Sequence, residues 1–445
     1  VISEEELKSI KRIVREGLRA DICAFSRMKK DDINAVLSSE ADIVHLVVPS
    51  SRLHMEKKLR ASEEEVLYSA EELVEYAREN GLKVEVGLED ASRAHLSFLL
   101  KLMRTVKNAK AERVCYCDTV GIMTPERIRE LFSKLREVGI PLSIHCHNDF
   151  GLAVINSVEA LKSGATEVHT TVNGLGERCG NASFEEIVMI LEELYGIETN
   201  VKKEKLYELS MKVSRLIGIS VPLNKPVVGK NAFTHESGIH VDGLLKDPRT
   251  YEPYPPEKIG RKRTIAIGKH AGRRALNALL IENGMELSEE QFERVYREVK
   301  SLTSRGRHVS LDDLLSLAES LTGRRAERDV KLEELTVISG NKITPTATVR
   351  LRINGDEMMS ASTGVGPVDA AIKAIRDAII NANVELEEYH VDAITGGTDA
   401  FVDVSVKLRR DHKSVFSSAT GKDIVLTSVE AFLEGLNKLI SEGGS

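Results

Sequence analysis

Between residues 20 and 195 the spacing of apolar positions switches repeatedly between two patterns. Short β-branched runs recur as ADICAFSR (20–27), DIVHLVVPSS (42–51), KVEVGLED (83–90), RVCYCDTVG (113–121), PLSIHCHND (141–149) and EVHTTVNGLGER (167–178). Between them, EEEVLYSAEELVEYAREN and TPERIRELFSKLREVG place apolar residues three and four apart, which predicts amphipathic helices. Strand and helix in regular alternation imply a parallel sheet built with right-handed crossovers. The opening stretch VISEEELKSIKRIVREGL predicts a further amphipathic helix with Ser3 as its N-cap.

Each apolar run ends in polar groups: Arg27, Ser50 and Ser51, Glu89 and Asp90, Asp118 and Thr119, His145 and His147, and Asn173. This arrangement fits an α/β fold of the (β/α)8 barrel type, whose chemistry collects at the carboxyl ends of the strands. A doubly wound open sheet is the competing fold, weakened because no GxGxxG follows a first strand. A Pro- and Gly-containing stretch near residue 220 marks a boundary, and helical patterns such as SEEQFERVYREVKSL and SLDDLLSLAESL follow. From about residue 331, ELTVISGNKITPTATVRLRI with GVGPVDAAIKAIRDAII is echoed some 57 residues later by EYHVDAITGGTDAFVDVSVKLRR with TGKDIVLTSVEAFLEGLNKLI, an internal repeat. The expected organisation is a barrel over 1–220, a linker with helical subdomains over 221–330, and an α+β duplicated domain over 331–445.

Composition narrows the function. A net charge of -7 and 29% charged residues without a basic block speak against nucleic-acid binding. No apolar run approaches the roughly 18 residues that span a bilayer, and no signal peptide precedes the first helix, so the expected location is cytoplasmic, away from membrane. The five cysteines, Cys23, Cys115, Cys117, Cys146 and Cys179, lie mostly in strand-like runs without CxxC spacing and read as reduced thiols.

His145 and His147 supply the clearest candidate chemistry. Residues two apart on a strand share a face with α-carbons about 6 to 7 Å apart, so both imidazoles can meet one divalent ion, Zn, Mn or Mg. The competing reading packs one histidine in the core and leaves the other solvated. NGLGERCGN (173–181) adds three glycines that let backbone approach a ligand, with Glu177, Arg178 and Asn181 beside them; alone it could be an ordinary loop into a helix capped near Ser183.

HCHNDFGLAVINS, TVNGLGERCGNA, NAFTHESGIHVDG, TYEPYPPEKIG and IGKHAGRRAL together resemble the 2-isopropylmalate, citramalate and homocitrate synthase family over essentially the whole chain. The resemblance implies a Claisen condensation of acetyl-CoA with a 2-oxo acid, followed by thioester hydrolysis. It also implies a homodimer and a C-terminal regulatory domain that senses an amino-acid effector; the competing reading of that domain is a dimerisation unit with an empty pocket. His145, His147 and Asn181 match metal ligands, and Thr119 matches the threonine that contacts the oxo acid's carboxylate. Glu89 matches an active-site glutamate, His240 a histidine that takes part in removing the methyl proton of acetyl-CoA, and Tyr251 a tyrosine near it. Gly176, Glu177 and Gly180 form the loop near acyl-CoA. Glu89 could instead be a strand-end carboxylate paired with a lysine, Thr119 could cap the turn before TPERIRELF, and His240 could be an ordinary linker histidine. His45 is expected on a barrel strand rather than on a metal, His54 has no derivable role, and His270 with Arg273 and Arg274 forms a solvated basic face or meets CoA phosphates.

Relatives begin with a strand carrying an Arg-Asp pair that this sequence lacks, so it is expected to start after the second barrel strand, with six of eight strands. Lys230 stands where relatives carry an acidic residue. RVCYCDTVGIMTP, RLHMEKKLR and SGNKITPTATVRL look most like archaeal-type citramalate synthases, which use pyruvate. Gly87, by contrast, removes side-chain volume near the expected oxo-acid pocket, which could admit the branched 3-methyl-2-oxobutanoate of 2-isopropylmalate synthesis. A lyase on the same barrel and a non-catalytic amino-acid-binding regulatory subunit are the alternatives from other classes.

Overall fold

The computed structural model describes residues 3–235, 240, 243–244, 246–261, 264–265, 272–304, 309, 311–322, 330–353, 355–379, 384–393, 397, 400–411 and 413–441. His270, named above, lies outside them, as does the stretch 236–239. The chain divides into two compact units, Val1–Leu276 with Thr303–Leu311, and Asn277–Leu302 with Asp312–Ser445.

In the first unit, six parallel strands follow one another in sequence order: β1 (Cys23–Arg27), β2 (Ile43–Pro49), β3 (Lys83–Glu89), β4 (Arg113–Asp118), β5 (Leu142–Cys146) and β6 (Glu167–His169). Strands added always on the same side are the topology of a barrel sheet, whereas a doubly wound sheet reverses its order at a switch point. The helices α1 (Glu4–Arg15), α2 (Lys30–Ser38), α3 (Glu63–Glu79), α4 (Leu96–Asn108), α5 (Pro125–Leu135), α6 (Ala153–Lys162), α7 (Phe184–Met189) and α8 (Leu206–Ile217) alternate with or follow these strands.

Local signals explain the helix starts. Ser3 caps α1 by accepting from Glu6 N, and Ser62 with Glu65 forms a reciprocal capping box on α3. Thr124, not Thr119, caps α5, with Pro125 in its first turn. Ser183 holds the N-cap position of α7 but accepts no backbone N–H there; its hydroxyl instead receives Lys225.

Packing divides the sheet into two chemically different faces. Residues such as Val44, Leu46, Val84, Val86, Leu88, Val114, Tyr116, Leu142 and Ile144 are buried against Phe98, Leu102, Ile128 and Phe132 of the helices. Tyr116 and Phe132 meet edge to face with ring centroids 5.6 Å apart. The opposite face carries His45, Glu85, Gly87, Arg113, Cys115, Cys117, Ser143, His145 and His169, the alternate residues of the same strands.

The duplicated region consists of two antiparallel meanders, β7 (Val330–Gly340), β8 (Ile343–Ile353), β9 (Asp356–Thr363) and β10 (Val384–Ala393), β11 (Val402–Arg410), β12 (Lys413–Gly421). Each is followed by a helix, Pro367–Ala378 or Ile424–Ser441. Ala347, Val349 and Leu351 on β8, and Val404, Val406 and Leu408 on β11, turn inward at every second residue and share one core with Ile375 and Phe432. No helix among the described residues is long and apolar enough to cross a membrane.

The helix-facing core yields a stability prediction. Phe132 is fully buried, so Phe132→Ala should cost about 3–5 kcal/mol, read as a lowered urea midpoint of the barrel transition.

Candidate active site and metal centre

The inner face of the sheet is organised around one buried carboxylate. Glu85 Oε2 lies 2.8 Å from His45 Nδ1, while Oε1 receives Ser143 Oγ at 2.6 Å and Arg113 Nε at 2.9 Å and lies 3.3 Å from His169 Nε2. Arg113 also reaches Glu167 at 2.5 Å. Burial alone would raise the Glu85 carboxyl, yet hydrogen bonds from His169 and His45 outweigh it and hold the group well below the ordinary carboxylate range. Burial likewise opposes charge on His169, and its contacts with Cys115, Glu167 and Glu85 overcome it, lifting the imidazole above its ordinary value.

His45, Glu85 and His169 bring their ligand atoms within 4.8 Å of one another, a geometry that could hold a metal. The sites around Glu85 are already taken: Arg113 and Ser143 occupy Oε1, and a guanidinium beside a cation would be repelled. The trio therefore reads as a charge-balanced layer that fixes two ring orientations. Sequence reasoning passed over Glu85 and His169. The signal available was their period: Glu85, Gly87 and Glu89 alternate on β3, and His169 pairs in register with His145.

That layer supports the paired histidines. His145 and His147 have ring centroids 5.1 Å apart, and His145 sits 5.5 Å from His169. Burial, followed by the neighbouring His169, His147 and His45, pushes His145 down to about 3. Burial and Arg178 lower His147 as well. Both imidazoles are thus neutral near pH 7, the state that offers a lone pair to a metal. Their faces are as expected, with one refinement: His147 lies just past β5 and forms a backbone bridge with Asn181.

Asn181 stands beside them, its Nδ2 3.2 Å from His145 Nε2 and 3.2 Å from the Cys146 carbonyl. The glycines make this position possible. A Cβ on Gly176 would lie 2.0 Å from Asn181 Oδ1, and one on Gly180 1.9 Å from the Gly174 carbonyl; Gly180 also has φ +83. His147 Nδ1 is buried without a hydrogen-bond partner. Two neutral imidazoles, one with an orphaned nitrogen, and an amide in a cradle open only to glycine fit a divalent cation with nitrogen and oxygen donors.

The remaining expected residues lie in several settings. Glu89 accepts both contacts of Lys58 Nζ, at 2.6 and 2.8 Å, and lies 3.3 Å from His54 Nδ1. The lysine-paired strand end foreseen as an alternative is therefore present, and His54 gains a place between Glu89 and Asp90. Thr119 Oγ1 accepts from Asp90 N at 2.8 Å, leaving its own proton to donate elsewhere. Glu177 points to solvent, whereas Arg178 grips Asp149 with two hydrogen bonds of 2.8 Å and donates to the Thr119 carbonyl.

One expectation needs correction. The volume left by Gly87 is not open pocket: a Cβ there would lie 2.4 Å from His45 Nε2, so the imidazole fills it. His240 and Tyr251 form a separate ring pair with centroids 4.3 Å apart, each 6.3 Å from His235. The structure thus brings together His145, His147 and Asn181, and separately His240 and Tyr251. Cys23 and Cys179 are exposed, unlike the buried Cys115 and Cys146, and all five cysteines are free.

Comparison with known proteins places this geometry in context. Residues 1–213 match the HMGL-like family model, 227–307 the homocitrate synthase post-HMGL domain-like model, and 308–440 the LeuA allosteric (dimerisation) domain. The (R)-citramalate synthase of Methanocaldococcus jannaschii is 50% identical over 445 residues, covering 99% of this chain and 91% of its own. A "Probable 2-isopropylmalate synthase" of Methanopyrus kandleri is 48% identical over 445 residues, covering 99% of this chain and 89% of its own.

Two measurements test the site. His145 is held neutral by the fold, so its contribution to stability is present above about pH 6.5 and is lost as pH falls toward 3. Relative to His145→Asn, the native chain should lose about 2 kcal/mol between pH 8 and pH 5, read from urea midpoints of both proteins. Gly180→Ala should push the loop off the Gly174 carbonyl and weaken Mn2+ binding about 10- to 100-fold, measured by titration calorimetry.

Proposed function

We propose, for a chain that belongs to the 2-isopropylmalate, citramalate and homocitrate synthase family, that it condenses acetyl-CoA with pyruvate to give (R)-citramalate. The observation that carries the reading is the convergence of His145, His147 and Asn181 at the carboxyl ends of adjoining strands, with an unpartnered buried nitrogen on His147. These three residues would hold a divalent cation. When bound, such an ion polarises the ketone and balances the charge on the developing alkoxide.

The chain's own groups then have defined tasks. Thr119, whose oxygen is occupied by Asp90 N, turns its hydroxyl proton toward the oxo acid's carboxylate. His240, its ring packed at a tilt against Tyr251, accepts the methyl proton of acetyl-CoA. The methyl carbon bonds to the keto carbon, the keto oxygen gains a proton, and water cleaves the thioester to release CoA. Glu89 is held by Lys58 at the rim of the same strand ends, and Gly176, Glu177 and Gly180 belong to the loop that meets acyl-CoA.

Substrate choice rests on space. The volume expected at Gly87 for a branched chain is occupied by His45, itself held by Glu85 and stacked on Phe25 with centroids 5.8 Å apart. A filled position favours the small pyruvate over 3-methyl-2-oxobutanoate, although a methylene or two is worth only about 1 to 3 kcal/mol. On this reading residues 1–220 form the catalytic barrel, 221–330 the linker and helices, and 331–445 a regulatory domain for an amino-acid effector in a homodimer.

Thiol release against a panel of 2-oxo acids tests the proposal. CoA release should require pyruvate and a divalent metal and stop on chelation. Faster turnover with 3-methyl-2-oxobutanoate would move the assignment to 2-isopropylmalate synthesis, and silence with every oxo acid would reject the condensing reaction.

A further inference from the structure

Lys225, on the linker after α8, is partly buried, with its side chain only 11% exposed. Its Nζ lies 2.6 Å from Glu186 Oε1, 3.2 Å from Glu185 Oε1 and 3.1 Å from Ser183 Oγ. Ser183 is two residues beyond Asn181. Glu185 is buried too, and its second oxygen accepts the backbone N–H of Asn173 at 3.0 Å. Lys225 therefore touches both ends of the loop 173–181, directly at Ser183 and through Glu185 at Asn173.

Within that loop little freedom remains. Asn181 N donates to the Gly174 carbonyl at 3.0 Å, and Asn173 Nδ2 donates to the Ser210 carbonyl at 3.0 Å. Lys225 is itself fixed by its turn. Gly229 N donates to the Lys225 carbonyl at 3.0 Å, a Cβ on Gly229 would lie 2.4 Å from that oxygen, and Arg261 donates to the Gly229 and Lys230 carbonyls at 2.6 and 3.1 Å. The same linker then runs into Phe233 and His235.

We propose that Lys225 is a positioning residue that holds the 173–181 loop, and with it Asn181, in the geometry that binds the divalent cation. This inference rests on the assignment of His145, His147 and Asn181 as metal ligands. Removing the Lys225 ammonium leaves Glu185 buried without its counter-charge, and the least costly relief is for the carboxylate to move out, carrying the Asn173 end of the loop with it.

The test compares Mn2+ affinity by titration calorimetry, and the electron paramagnetic spectrum of bound Mn2+, in the full chain and its Lys225→Met and Lys225→Arg variants. Lys225→Met should bind Mn2+ about 10- to 100-fold more weakly with an altered spectrum, and Lys225→Arg should recover most of the affinity. Wild-type affinity in folded Lys225→Met, or no recovery in Lys225→Arg, overturns the proposal. Where Lys225→Met does not fold, Lys225→Gln takes its place, and wild-type affinity in that variant overturns the proposal equally. A wild-type chain that ignores Mn2+, or a His145→Ala, His147→Ala variant that binds it unchanged, rejects the metal assignment instead.

Discussion

A carboxylate shared among four partners sets the electrostatics of the inner face. Glu85 meets His45, His169, Arg113 and Ser143 at once, and an anion buried this deeply persists only when such partners satisfy it. Burial first, and then the neighbouring His169 ring that Glu85 contacts, keep the next imidazole along, His145, neutral. Glu85 thus acts on His145 through His169, while its own charge works in the opposite direction. The same carboxylate orients His45, whose ring enters the gap left by Gly87.

The second constraint is steric. The loop after β6 brings its own backbone to within the distance that only glycine at 176 and 180 permits. That close approach delivers Asn181 to His145, and the backbone bridge between His147 and Asn181 joins loop to strand end. Strand β5 and the residue just past it hold His145 and His147 while a tightly closed loop holds Asn181, the usual division of labour at the carboxyl end of a barrel sheet. Lys225 extends the control outward, because the linker that supplies it also leads to the ring pair of His240 and Tyr251.

A condensing reaction of this class needs two centres, one to activate a ketone and one to take a proton from a thioester methyl. On the proposed reading the two clusters of side chains share the work in that way. His145, His147 and Asn181 lie at the strand ends, and His240 with Tyr251 lies on the linker segment. Relatives at 50 and 48% identity are named for two different products, and on the proposed reading Gly87 and His45 bear on that distinction.

Much of the fold was legible along the chain because strands and helices write their periods locally. The six strands, their parallel sense and the duplicated C-terminal motif all followed from spacing, and the facing of His145 with His147 followed from the two-residue repeat of a strand. Contacts between distant residues carry no such signature. Glu85 was invisible because its meaning comes from Ser143, Arg113 and His169 on other strands, and Gly87 was misread because only the neighbouring strand reveals that His45 fills its space. Sequence alone determined which residue types stand at the strand ends. Tertiary structure decided which of them share a charge, since that depends on distances between elements that the chain's own order does not encode.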